Sequence, residues 1–108
     1  MVDVIVSGNG TYYKDGVERL YLHFRKADNH GLPADDGAKT PITLIARGHK
    51  YAGVMNARDS LDYLFVSPDM TDEVGGQHKL TYLLLEWGLV KAGRVQASVA
   101  GTRITLAV

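Results

Sequence analysis

Apolar and polar positions alternate along most of this chain, and that rhythm predicts strands. Val2 to Ser7 alternates, and Gly8-Asn9-Gly10 supplies a turn. Thr11-Tyr12-Tyr13 is a short β-prone run stopped by Asp15-Gly16. Val17 to Phe24 resumes the alternation, with Leu20, Leu22 and Phe24 on one face and Arg19, Tyr21 and His23 on a polar one. From Ala27 to Thr40 nothing is periodic. Gly31, Pro33, Asp35, Asp36 and Gly37 mark a loop whose length points towards function. Ile42 to Ala46 reads as a strand, Arg47-Gly48 as a turn, and His49 to Met55 as its hairpin partner. Asn56 to Ser60 is polar, Leu61 to Val66 is strand again, and Pro68 to Gly76 reads as a second loop carrying Asp69, Asp72 and Glu73.

The period then changes. Leu80, Leu83, Leu84 and Trp87 recur at helical spacing over about 78–87, and Gly88 stands where a helix is ended by a left-handed glycine. Val95, Ala97 and Val99 restore the strand rhythm, and Gly101 turns the chain into Ile104, Leu106 and Val108. The expected fold is mainly β: about seven strands in an open or nearly closed pseudobarrel. One clear helix plugs an end, with room for a second short one.

The 108 residues fit one domain, and 45% hydrophobic content is enough for a single core. The absence of cysteine excludes disulfides and thiolate metal sites. No apolar run reaches a membrane span, and Met1-Val2-Asp3-Val4-Ile5 lacks the layout of a signal peptide, so a cytoplasmic domain is expected. A strand running to the last residue suggests a domain excised from a larger protein.

Zero net charge conceals a basic middle. Between Arg19 and Arg58 lie seven Lys and Arg (Arg19, Arg25, Lys26, Lys39, Arg47, Lys50, Arg58) against three acids, with three of the four histidines, and the flanks are acidic. A domain that is neutral overall but basic on one side can hold a polyanion there.

Some short words of sequence resemble a known family. Arg19-Leu20-Tyr21-Leu22 with Lys26-Ala27, the glycine-broken pair Ile42-Thr43-Leu44, Gly48 and Tyr51, and the run Leu80 to Trp87, Gly88-Leu89, Ala92-Gly93-Arg94-Val95 resemble the B-three DNA-binding domains of plant transcription factors. They are also similar to the B-three-like recognition domains fused to bacterial restriction endonucleases. The similarity runs from Val17 to Val108. His23-Phe24-Arg25-Lys26 stands where the family carries Pro-Lys, and Arg94 where its Gly-Asp turn has Asp.

The resemblance implies a monomeric, non-catalytic, sequence-specific binder of double-stranded DNA. It implies two arms entering the major groove, at about Leu22 to Gly31 and Lys50 to Tyr63, and a nuclease domain fused to it or associated with it. In the first arm Arg25, Lys26, Asn29 and His30 supply donors and Asp28 an acceptor; in the second, Asn56, Arg58, Asp59 and Ser60 form a similar set. Arg matches guanine, Asn matches adenine and an acid accepts from cytosine, so mixed sets of this kind suit base reading. His23, Arg47, His49 and Lys50 are the expected phosphate contacts. Plain hydrated loops are the competing reading of both arms.

Catalytic patterns are weak. Pro68-Asp69 has no following Glu-x-Lys or Asp-x-Lys, the histidines lack metal-ligand spacing, no serine sits in a nucleophile elbow, and no cofactor motif is present. The alternative class is a swapped-hairpin-like small β interaction or toxin-type module binding protein or RNA, with Gly88 to Val108 as its dimerisation hairpin.

Overall fold

The face that Leu20, Leu22 and Phe24 share on the second strand is the inner wall of a barrel. In the computed structural model, which describes residues 1–28 and 30–108, all three are buried while Arg19, Tyr21 and His23 point outward, half-covered. The strands are β1 (Val2–Tyr12), β2 (Glu18–Arg25), β3 (Lys39–Ala46), β4 (His49–Asn56), β5 (Tyr63–Val66), β6 (Asp69–Asp72), β7 (Gln77–Lys79), β8 (Arg94–Ala100) and β9 (Arg103–Leu106). The helix α1 spans Leu80–Glu86. Hydrogen bonding runs β3-β9-β8-β1-β2-β5-β4, and β4 pairs back onto β3, so seven strands close into a barrel. Closure removes the free edges an open pseudobarrel would have to protect. Val4, Val6, Leu22, Leu44, Leu64, Val66, Ala97 and Ile104 fill its interior.

The hairpin β6–β7 is an addition outside the barrel. β4 pairs with β5 through Met55 and Asn56, but with β6 through Tyr51 and Ala52. Gly53 sits at the changeover, because the Met70 sulfur lies 2.7 Å from where a Cβ would stand. This hairpin occupies the segment expected to be a loop. Its polar strands carry one fully buried residue, Met70, too little to leave an alternating pattern. The Gly8-Asn9-Gly10 segment is likewise no turn: β1 runs through it with an irregular register between Gly8 and Tyr12.

The helix buries Leu80, Thr81, Leu83 and Leu84. The Thr81 hydroxyl accepts the Leu20 N–H at 2.9 Å, which fixes the helix at the start of β2. Gly88, at φ +80°, ends it: the Leu89 and Gly88 N–H groups bond back to the Leu84 and Leu85 carbonyls, as a left-handed cap requires. Among the described residues there is no second helix. The β8–β9 hairpin pairs on its outer sides with β1 and β3 of the same chain. No helix of the described residues is long and apolar enough to cross a membrane.

Candidate nucleic-acid interface

Barrel topology brings the two expected arms together. β2 neighbours β5 and β3 neighbours β4, so the β2–β3 and β4–β5 connections cross between the same strand pairs at one end of the barrel. They are laced to each other there. The Lys26 N–H donates to the Asp62 carbonyl, Gly37 N–H to Ala57, and Ala57 N–H to Ala38. The Asp59 N–H donates to the Asp36 carboxylate at 3.0 Å, and the Lys26 ε-ammonium to the Arg58 carbonyl at 2.6 Å. The result is one braced rim rather than two free-standing arms.

Arg25, Arg58, Asp59 and Ser60 stand exposed on this rim. Arg25 leans on Asp28, with 3.4 Å between guanidinium and carboxylate and about half of its side chain still in solvent. Lys39 opens β3 at the same end, paired in register with Asn56.

Two of the expected base readers are turned inward. Asn56 is buried, and its amide donates to Ser67 Oγ at 2.6 Å and lies 3.4 Å from the Val54 and Phe65 carbonyls. It locks β4 to β5. His30 is buried too; its Nδ1 accepts the Leu32 N–H at 3.0 Å, which makes Nε2 the protonated nitrogen. Asn29 lies outside the described residues.

The basic middle is divided by the fold. Arg47 lies in the β3–β4 turn and His49 and Lys50 open β4 beside the helix, with most of the eight-residue β4, roughly 20 Å of strand, between them and the rim. They line a cleft of about 600 Å³ together with Asp72, Glu73 and Glu86, so cations and acids offset one another there. Arg47 reaches the Trp87 carbonyl at 3.4 Å, and the Lys50 N–H donates to Glu73. Asp72, expected as a solvated loop acid, instead accepts from the Gly76 and Val74 N–H groups and sits 2.7 Å from His78. The His78 imidazole first, then those two N–H groups, hold its carboxyl below the usual range.

His23 was expected at a phosphate. Its ring instead stacks on Tyr63 with centroids 3.8 Å apart. Burial pushes its imidazole below the ordinary value, against a smaller opposing pull from Asp62. It belongs to an outward-facing row with Tyr21, Tyr63 and Phe65; Tyr21 and Tyr63 each meet Phe65 edge-on at 6.2 and 6.4 Å. A groove of about 250 Å³ runs over this row, with Asn9 on one side and Arg58 and Leu61 on the other. The row was open to discovery from parity alone: the solvent-facing positions of β2 and β5 hold rings where polar residues are usual.

Among the described residues no group of three or more His, Asp or Glu is arranged to hold a metal. The architecture is that of a small closed β-barrel with a helix at one end and a braced loop rim at the other. No protein-family model matches the chain, and no curated protein or solved structure matches it significantly.

Proposed function

We propose that this barrel is a sequence-specific binder of double-stranded DNA, of the B-three-like kind, that presents its braced rim to the major groove. The observation that carries the reading is the lacing of the β2–β3 and β4–β5 loops into one edge with Arg25, Arg58, Asp59 and Ser60 exposed on it. An edge held by its own backbone hydrogen bonds loses little conformational entropy on binding. Guanidinium, carboxylate and hydroxyl groups mixed on one edge suit base readout. On the same reading the chain is the recognition module of a restriction endonuclease, with cleavage supplied by another domain.

The rim carries few cations: Arg25, Lys26, Lys39 and Arg58. With Arg47, His49 and Lys50 at the opposite end, phosphate contacts are limited to about two or three, and log K should fall with log salt at a slope of about −2 to −3. Arg58→Ala tests the reading. It should cost about 1–3 kcal/mol on the preferred site and relax selection at one base pair. A uniform loss over all sequences, with a slope shallower by about one, would instead make Arg58 a phosphate contact.

A further inference from the structure

The groove over Tyr21, His23, Tyr63 and Phe65 is not explained by reading base edges from the rim. We propose that it is a pocket for a single unstacked nucleobase, continuous with the rim through Arg58; the inference rests on the DNA-binding reading above. At about 250 Å³ it falls just below the size of pockets for drug-sized ligands, which suits one heterocycle. Its floor is aromatic, with the His23 ring stacked on Tyr63 at 3.8 Å and burial favouring the uncharged form of its imidazole. Polar groups sit at its border. The Tyr21 hydroxyl accepts from the Asn9 amide at 3.2 Å, which leaves its own proton to donate to the edge of a base. Arg58 stands at the other wall, where the groove meets the rim.

Rings of this kind gain most by stacking on the face of another ring. A base within a paired duplex offers a groove only its edge. The occupant is therefore a base whose face is free, and two sources supply one: a single strand, or a duplex from which a base has swung out beside the rim. Everting a base is least costly where it is already unpaired.

The test is aromatic and amide NMR of the whole chain with three DNA probes: a mixed-sequence octamer single strand, a duplex with one unpaired base, and the fully paired duplex. The ring signals of Tyr21, His23, Tyr63 and Phe65 should move with the unpaired base, and Phe65→Leu should weaken that binding about tenfold. Movement with both unpaired probes assigns eversion as well as a free strand; movement with the single strand alone keeps the pocket and names the strand as its source. If paired duplex shifts the rim amides near Arg25 and Arg58 while no probe moves the rings, the pocket is refuted and the DNA reading stands. If no DNA moves any signal, both fall.

Discussion

The ε-ammonium of Lys26 and the carbonyl oxygen of Arg58, thirty-two residues apart in sequence, are 2.6 Å apart at the rim of the barrel. The bond ties the loop after β2 to the loop after β4, and it makes Lys26 a brace before it is anything else. A lysine committed to a carbonyl in this way steadies the backbone from which the exposed Arg58 side chain extends.

Lys26→Met keeps most of the side-chain stem and removes the brace. DNA affinity should fall about fivefold, the value of one modest hydrogen bond, with the salt slope unchanged. Amide exchange across residues 57–62 should quicken in parallel. A slope shallower by about one, with exchange unaltered, would place Lys26 on a phosphate and remove the bracing role.

Asn56 carries a different load. Its buried amide serves the Ser67 hydroxyl and lies against two carbonyls, so Asn56→Ala removes the 2.6 Å bond to Ser67 that ties β4 to the end of β5. The expected loss of stability is about 1–3 kcal/mol in urea denaturation. Were Asn56 a base reader instead, the variant would keep its stability and lose only selectivity.

Acidity should weaken the fold in two stages. His23 has its imidazole lowered by burial, so the unfolded chain takes up a proton near pH 6.5 that the folded chain refuses; stability falls as pH drops below that point. Asp72 has its carboxyl lowered chiefly by His78, and Glu18 its carboxyl chiefly by Lys91. Each contributes stability that is present above the unfolded carboxylate range, near pH 4, and lost as pH falls through the folded value. Urea midpoints from pH 7 to pH 3 should therefore begin to decline below about 6.5 and decline again below about 4. His23→Gln should flatten only the first decline. Parallel curves for the variant and the parent would remove His23 as the cause.

Much of the barrel was legible because its strands put core residues at every second position. Leu20, Leu22 and Phe24 announce β2, and Leu80, Leu83, Leu84 and Gly88 announce α1 with its cap. The β6–β7 hairpin was not legible, since Asp69, Thr71, Gln77 and Lys79 are polar and Met70 alone enters the core. The site was read less well than the fold, for a related reason. Arg25 and Arg58 were recognised as exposed loop cations, but nothing local distinguishes them from Asn56 or His30, whose burial depends on strands distant in sequence. Charge was the weakest guide. Arg47 and Arg58 look like neighbours in a basic stretch, yet a full strand carries one to the helix end and the other to the rim.

Selection of bound duplexes from a randomised library at ~0.15 M salt tests the central claim most directly. The account predicts an enriched motif of a few base pairs, bound with the shallow salt dependence of about two or three phosphate contacts. No enrichment, with no binding even at low salt, would contradict it and leave the rim without a role in DNA recognition.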